Sequence, residues 1–290
     1  MLPLESVPNF SEGRDTATIA AIGDALGAHA RLLDVHTDAD HNRSVFTLVG
    51  TDTELADSLV AGIRIASERI DLRAHDGAHP RIGAADVVPI VPIRPEDLPR
   101  AHAAAALVGS RIGAELGLPV FVYAPPERGP AFYRRGGPAA LQRRVDKGEV
   151  VPDYGPSQLH ESAGGVILGA RNPLIAFNVN LRGDLAVAQE IAALVREKGG
   201  GFPGVRALGL DLPRAGLVQV SMNVEDWEAA ALHEIVARIE QEAQARGAEV
   251  AGSELVGLMP AGAAAAAAGA ALRIEGFDQS HVLELRLLDD

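Results

Sequence analysis

The chain has 290 residues, a formal net charge of −13 at pH 7 and no cysteine. Because a chain this acidic repels polyanions at long range, we expect no nucleic acid among its partners. The absence of cysteine excludes disulfides, a thiol nucleophile and thiolate metal sites. With hydrophobic residues at 47% and aromatic residues at 4%, the sequence predicts one large or two medium α/β domains whose cores are mostly aliphatic.

The N-terminal residues do not show the basic and then apolar pattern of a secretory signal. The sequence also has no run of about 18 uninterrupted apolar residues, the length needed to span a bilayer as a helix. We therefore expect a cytoplasmic protein with no membrane partner.

The first 93 residues predict strands and helices in the order β-α-β-β-α-β. Apolar residues Ile19, Ile22 and Leu26 recur at helical spacing, and two β-rich runs flank the polar connection TDADHNR. The run ADVVPIVPI carries Pro89 and Pro92, which predicts an edge strand or an irregular strand. The predicted elements are, in chain order, 3–8, 15–29, 32–36, 44–50, 53–70 and 85–93.

The second half of the chain predicts the same order again. It follows a helix at 96–116, a short strand at 119–123, and a Pro-, Gly- and Arg-rich segment at 124–172. We interpret that segment as a functional or linking region between the two halves. The alanine tract at 263–268 favours a further helix. The repeated elements are 174–181, 183–200, 205–212, 217–224, 226–246 and 249–255.

Two β-α-β-β-α-β repeats are typical of ferredoxin-like, split-βαβ units. The predicted fold class is therefore α/β, or more narrowly α+β, with two ferredoxin-like subdomains and helices packed on mostly antiparallel sheets. We place the subdomains at 1–172 and 173–290.

The segment DLRAHDGAHPRIGA, residues 71–84, carries two histidines in an irregular loop. His75 and His79 stand four residues apart, a spacing that suits a metal pair on a helix, but Gly77 and Pro80 exclude a continuous helix here. We therefore expect no metal. Free imidazoles in a loop suit proton transfer, because an unperturbed pKa of about 6.5 allows both protonation states near neutral pH.

The connection around residues 34–43 is crowded with polar side chains. The favoured interpretation is a polar turn in which Asp and Asn side chains bond to their own backbone. A calcium loop is disfavoured, because the glycine and terminal glutamate of an EF-hand are missing. The glycine-rich stretches match neither GxGxxG nor the P-loop, so nucleotide binding is unsupported.

Several long and unusual motifs resemble those of the glutamate formiminotransferases, the formimidoyltransferase part of formimidoyltransferase-cyclodeaminase. They occur in the family's order and cover nearly the whole chain: ESVPNFSEGRD, DADHNRSVFTLVG, HDGAHPRIGAADVVPIVPI, VPDYGPS, GARNPLIAFNVNL, LVQVSMNV and GSELVGLMP. The resemblance implies an N-terminal and a C-terminal subdomain, usually in a homodimer. It also implies transfer of a formimino group from N-formimidoyl-L-glutamate to N5 of tetrahydrofolate, a co-substrate, during histidine breakdown.

The resemblance also implies a set of site residues. The catalytic histidine of the family matches His79, the His of HPR. The folate-contacting loop matches residues 155–164, whose candidates are Gly155, Pro156, Ser157 and Gly164. Because the cyclodeaminase part of the fused enzyme does not align with this chain, a separate cyclodeaminase is a possible partner.

One position departs from the family. Where many relatives have an Asp two residues after Asp34, this chain has His36. Either His36 titrates itself or Asp38 fills the role, and the sequence leaves both open.

The mechanism needs a group that acts as base and then acid, which we assign to His79. Both substrates are carboxylates, so Arg43 and Arg81 are candidates for binding them, with surface ion pairs as the alternative. Asn9 and Asn42 are candidates for orienting the amidine, with turn formation as the alternative.

Two other functions stay open at this point. Some members of the family are thought to use 5-formyltetrahydrofolate and glutamate, and the sequence does not separate a formyl from a formimino donor. A non-catalytic module that binds an amino acid or folate is a second alternative, because paired ferredoxin-like units often serve as regulatory domains.

Overall fold

The computed structural model describes residues 2–124 and 128–286. The chain divides into two compact units, residues 1–172 and 173–290. The elements of the first unit are β1 (Leu4–Ser6), β2 (Asn9–Phe10), α1 (Thr16–Gly27), β3 (Arg31–Asp38), β4 (Arg43–Gly50), α2 (Asp52–Arg69), β5 (Ala85–Pro92), α3 (Leu98–Arg111), β6 (Val120–Val122), α4 (Pro130–Arg134), α5 (Gly137–Asp146) and β7 (Val166–Ala170).

The helices of this unit begin where the sequence supplies caps. The carboxylate of Asp15 accepts the backbone N–H of Ala17 at the start of α1. At the start of α2, Thr51 and Glu54 form a capping box in which each side chain accepts the other residue's backbone N–H. Each cap satisfies backbone donors that the first turn of a helix leaves without a partner.

The sheet of the first unit has the spatial order β3, β4, β1 with β2, β5, β7 and β6. Strands β1 and β2 are two short segments that both lie between β4 and β5 and pair antiparallel with each of them. The pairs of β7 with β5 and with β6 are parallel. The first four strand positions form a ferredoxin-like sheet, and β7 and β6 extend it.

Strand β5 is central in this sheet, so the predicted edge position is wrong, whereas the alternative of an irregular strand is confirmed by the register shift in its pairing with β2. Pro89 lies opposite the interruption between β1, which ends by pairing Ser6 with Ile90, and β2, which begins by pairing Asn9 with Val87. Pro92 is the last residue of the strand. Because neither position interrupts a continuous ladder on that side, the missing N–H groups are tolerated in a central strand.

Residues 128–172 belong to the first unit, so the linking alternative is wrong, and the functional alternative stays a prediction. They contain α4, α5 and β7, which the sequence prediction missed. Alternate residues of β7 serve two cores: Val166 and Leu168 lie in the core under α1, α2 and α3, whereas Ile167 lies in a second core with Tyr133 of α4 and Leu141 of α5. The sheet is therefore covered by helices on one face and partly covered on the other.

The second unit is a complete ferredoxin-like fold. Its sheet has the order β11, β8, β10 and β9, and all its pairs are antiparallel. The predicted fold class is thus confirmed. The elements are β8 (Ile175–Arg182), α6 (Leu185–Val195), β9 (Val205–Leu212), β10 (Leu217–Val224), α7 (Leu232–Ala245), β11 (Glu249–Val256), α8 (Ala261–Leu272) and α9 (Leu283–Arg286).

In the parts of the chain that the structure describes, no helix is both long enough and apolar enough to cross a bilayer.

Gly209 marks a close approach of β9 to α6 and gives a test of this packing. A Cβ atom at Gly209 would lie 2.6 Å from Cα of Gln189 and 2.7 Å from the carbonyl carbon of Ala188. Because these are backbone atoms, we expect Gly209→Ala to lower the free energy of unfolding by about 1–3 kcal/mol. Urea denaturation followed by the fluorescence of Trp227, the only tryptophan, reports on this unit.

The control is Leu208→Ala. Leu208 is the preceding residue, points to the opposite face and is 48% exposed. We expect a change below about 1 kcal/mol there. Equal effects of the two substitutions would contradict the close packing of β9 on α6.

Candidate active site

Three candidate residues share the sheet face of the first unit that points away from α1, α2 and α3. Register pairs His36 with Val45 and Val45 with Asn9, and it pairs Asp38 with Arg43. Residues paired across neighbouring strands lie on the same face. The structure therefore brings Asn9, His36 and Arg43 to one surface, opposite the buried core that holds Phe10 and Phe46.

Asp86 of β5 lies beneath this surface and contacts Arg43. Its side chain is fully buried, and its Oδ1 accepts the backbone N–H of Ile82 at 2.8 Å. Its Oδ2 accepts from Nη1 of Arg43 at 2.9 Å and lies 2.6 Å from Nη2 of Arg134. Burial raises the pKa of Asp86, but the charges of Arg134 and Arg43 outweigh burial and hold this pKa well below its usual value. Asp86 is therefore an anion that joins two cations.

The sequence prediction missed both Asp86 and Arg134. Arg134 is the last residue of α4, its side chain is 14% exposed, and its Nε is buried with no hydrogen-bond partner among the described residues. The available signal was the run of arginines in the segment that follows residue 124, which contrasts with the acidity of the whole chain. Pairing with Asp86 is a long-range contact that no local pattern shows.

The side chain of Arg43 is 9% exposed and lies between two hydrogen-bond partners, Asp86 and Asn9. Besides Asp86, its Nε donates to Oδ1 of Asn9 at 2.9 Å. Nδ2 of Asn9 in turn donates to the carbonyl of Val7 at 2.8 Å. Burial lowers the pKa of Arg43 to about 10, against the opposing effect of Asp86, so the group remains a cation at neutral pH. Asn9 thus orients Arg43.

Arg81 uses all five of its N–H groups to join the loop at 71–84, which carries His75 and His79, to the β3–β4 connection. Nη2 donates to the carbonyls of His41 at 2.7 Å and His79 at 2.8 Å, and Nε donates to the same His79 carbonyl at 3.2 Å. Nη1 donates to the carbonyl of Asn42 at 2.9 Å and to Nε2 of His75 at 2.8 Å. Since a guanidinium has five donors, none remains for a substrate carboxylate in this arrangement.

Asn42 likewise holds segments together. It has a positive φ of 47°. Its Oδ1 accepts the N–H of Gly13 at 2.9 Å, and its Nδ2 donates to the carbonyl of Asp76 at 2.9 Å. Asparagine tolerates this left-handed backbone better than most residues do. The side chain therefore ties the β3–β4 connection to two other loops.

His79 is half-buried in the loop, and its hydrogen bond defines its tautomer. Nδ1 lies 2.8 Å from the carbonyl of Pro80, which can only accept, so Nδ1 carries the proton and the neutral ring has a bare Nε2. Burial, followed by the charges of Arg43 and Arg134, lowers the pKa of His79 well below 6.5. The ring is therefore a neutral base at pH 7.

His75 is placed differently. Its Nε2 accepts from Arg81, and burial together with the charge of Arg81 lowers its pKa. Within the described ranges, no group of three or more histidine or acidic residues is arranged to hold a metal ion.

The loop at 155–164 has two parts. Residues 155–158, which include Gly155, Pro156 and Ser157, are exposed. Gly164 is buried against the segment that follows His79: it pairs with Gly83, and Gly165 donates to the carbonyl of Ile82 at 3.0 Å. Gly164 has a φ of 68°, and a Cβ atom there would collide with the carbonyl oxygen of Ile82. This close contact requires glycine.

Comparison with known proteins shows the family of the chain. Residues 3–171 match the N-terminal subdomain of the formiminotransferase domain, and residues 176–279 match the formiminotransferase domain. The chain belongs to the formiminotransferase family. This confirms the resemblance seen in the sequence.

Two relatives align with this chain over nearly their whole lengths. A glutamate formimidoyltransferase of Streptococcus pyogenes serotype M1 is 40% identical, over 98% of this chain and 98% of that protein. A glutamate formimidoyltransferase of Thermoplasma acidophilum is 37% identical, over 98% and 97%. A formimidoyltransferase-cyclodeaminase of Rattus norvegicus is 39% identical over 89% of this chain but only 50% of that protein.

Removal of Asp86 tests the centre of the site. Asp86→Ala would leave two largely buried guanidinium groups without their anion, so we expect the free energy of unfolding to fall by about 3–5 kcal/mol. Urea denaturation followed by circular dichroism measures this. Asp71→Ala, which removes an exposed carboxylate that accepts from the side chain and the backbone N–H of Arg73, is the control and should have a much smaller effect.

The wild-type protein and Asp86→Ala together also predict how the free energy of unfolding depends on pH. Because folding lowers the pKa of Asp86, its stabilisation is complete above the unfolded pKa of about 3.9 and is lost as pH falls below it. The wild-type free energy of unfolding should therefore fall more steeply below about pH 4 than that of Asp86→Ala. Parallel curves would contradict an ionised, ion-paired Asp86.

Proposed function

We propose that this chain transfers a formimino group from N-formimidoyl-L-glutamate to N5 of tetrahydrofolate, releasing L-glutamate and 5-formimidoyltetrahydrofolate, in histidine degradation. Relatives named for glutamate formimidoyltransferase activity align over nearly the full chain, which supports this donor over the formyl alternative. The observation that carries the proposal is a neutral imidazole, His79, beside the cations grouped around Asp86.

The proposed role of His79 is proton transfer. Attack of N5 of the folate on the amidine carbon forms an N–C bond and releases a proton, which the bare Nε2 of His79 accepts. Cleavage of the bond between that carbon and the glutamate nitrogen then requires a proton, which the same Nε2 returns. The pKa of His79, lowered by burial and by Arg43 and Arg134, keeps the ring unprotonated before the first step.

The cations supply the charge complement that carboxylate substrates need. Arg43 and Arg134 share the single carboxylate of Asp86, and Arg81 adds a third positive charge close by. The local field is therefore positive although the protein is acidic overall. Arg134 has a buried Nε without a partner among the described residues, so it is the arginine best suited to bind a substrate carboxylate.

The remaining candidate residues have supporting roles in this proposal. Arg81 and Asn42 shape the loop that presents His79, and Asn9 orients Arg43. The exposed residues Gly155, Pro156 and Ser157 are proposed to contact tetrahydrofolate. Gly164 joins that loop to the segment that follows His79.

His36 is proposed to face the substrates. It shares its sheet face with Asn9 and Arg43, where many relatives have an aspartate. Two residues further along β3, Asp38 faces the same way.

Substitution of His79 tests the proposal. We expect His79→Gln to lower kcat by about 10²–10⁴-fold, because glutamine keeps polarity but cannot transfer the proton. A spectrophotometric assay with tetrahydrofolate and formimidoylglutamate measures this. His102→Gln, on the exposed surface of α3, is the matched control and should keep wild-type kcat.

The pH profile of the same assay has a predicted direction. Because the pKa of His79 is lowered, the wild-type rate should begin to fall with decreasing pH only below pH 6.5.

Normal turnover by His79→Gln would refute the proposed role of His79 in proton transfer. Turnover of formylglutamate but not formimidoylglutamate would favour the formyl reaction, and calorimetric binding of glutamate without turnover would favour a binding module.

The family resemblance further supports three proposals: a homodimer, a cytoplasmic location and cooperation with a separate cyclodeaminase. The last is suggested by the rat relative, whose name joins a formimidoyltransferase to a cyclodeaminase. Light scattering should give twice the chain mass of 30.2 kDa, and a monomer mass at assay concentration would exclude the homodimer.

A further inference from the structure

A second histidine lies buried beside His79 and has no part in the proton transfer described above. His41 lies in the connection between β3 and β4, with its side chain 8% exposed. Its Nδ1 is 2.8 Å from Oδ2 of Asp38, and its backbone N–H donates to Oδ1 of Asp38 at 2.8 Å. The carboxylate thus fixes both the backbone and the ring of His41.

The far side of the His41 ring carries an unexplained polar atom. Its Nε2 is buried and has no hydrogen-bond partner within the described part of the chain. A buried polar atom without a partner costs about 1–3 kcal/mol. A simple space-filling role would be served better by an apolar ring, so the imidazole at this position requires another explanation.

The neighbour of this ring is His79. The two ring centroids are 6.2 Å apart and the planes meet at 88°, so one ring stands edge-on to the other. The perpendicular contact restricts rotation of His79, whose other restraint is the hydrogen bond of Nδ1 to the Pro80 carbonyl. Asp38, His41 and His79 therefore form a continuous row.

The charges around the row come from every element that packs against it. Asp38 belongs to β3, Arg43 to β4, Asp86 to β5 and Arg134 to α4, and Arg81 lies in the loop. Burial raises the pKa of Asp38, but hydrogen bonds from the side chain and backbone of His41 lower it further than burial raises it, so Asp38 is an anion.

We propose that His41, anchored by Asp38, is a positioning residue for His79: it fixes the plane of the His79 ring for proton transfer. This inference rests on the proposed function, because His41 acts only through His79. It also gives Asp38, the residue that shares the sheet face of His36, a defined role in the site.

Two variants separate positioning from packing. His41→Phe keeps a ring that can pack edge-on but removes the nitrogens, and Asp38→Asn keeps the shape of the anchor but removes its charge. For both we expect kcat to fall by about tenfold or more while KM for each substrate changes by less than about threefold. His102→Phe, a matched change at an exposed site, should leave both parameters unchanged.

A second measurement does not depend on activity. Nuclear magnetic resonance of histidine labelled with 15N in the ring reports which ring nitrogen of His79 carries the proton, and the signal of His79 is the one missing in His79→Gln. Wild-type His79 should show a protonated Nδ1 and a bare Nε2, whereas a His79 ring that is no longer held in place by an anchored neighbour should show a mixture of the two tautomers in His41→Phe. Packing alone would leave the wild-type tautomer in place, because phenylalanine still fills the space.

The outcomes are distinct. If the wild-type chain transfers no formimino group, the proposed function fails, but the tautomer of His79 still decides the role of His41. If His79 keeps its wild-type tautomer in His41→Phe, the inference is overturned whatever the activity. Should His41→Phe fail to fold, Asp38→Asn decides instead: an unchanged kcat together with an unchanged His79 tautomer overturns the inference.

Discussion

The buried carboxylate of Asp86 is the interaction on which the site depends. It joins Arg43 from β4, Arg134 from α4 and the backbone N–H of Ile82, so three parts of the first unit meet at one anion. Two guanidinium groups this close repel each other strongly in a medium of low dielectric constant. The shared anion makes their proximity possible, and the excess of positive charge remains available to the surface above it.

That excess of positive charge explains why an imidazole suits this position. Near cations, a histidine loses its proton and becomes a neutral base, whereas a carboxylate has its pKa lowered and becomes a weaker base. His79 accordingly has its pKa lowered by burial and by Arg43 and Arg134. The same charges that favour carboxylate substrates therefore also prepare the proton acceptor.

The sequence predicted the local features well. Periodicity predicted both β-α-β-β-α-β repeats, and glycine and proline around His79 predicted a loop, which the structure confirms. The motifs predicted the family, which the comparisons confirm. The roles of the individual site residues stay predictions.

The features that the sequence prediction missed depend on contacts distant in the chain. The central place of β5 depends on the interruption between β1 and β2, which positions Pro89 harmlessly. Arg134 reaches Asp86 only once α4 packs on the second core. Arg81 was a candidate for binding substrate, yet all five of its N–H donors are bonded within the protein. No local sequence pattern reveals that a side chain has all its donors occupied.

Four of the five bonds of Arg81 end on main-chain carbonyl oxygens, at His41, Asn42 and His79. A carbonyl is the same for every amino acid, so this grip does not sense which side chain stands at those positions. The side chains at these positions can therefore change during evolution while Arg81 keeps the same hydrogen bonds to the backbone. The path of the backbone and the reactive side chains thus depend on different groups.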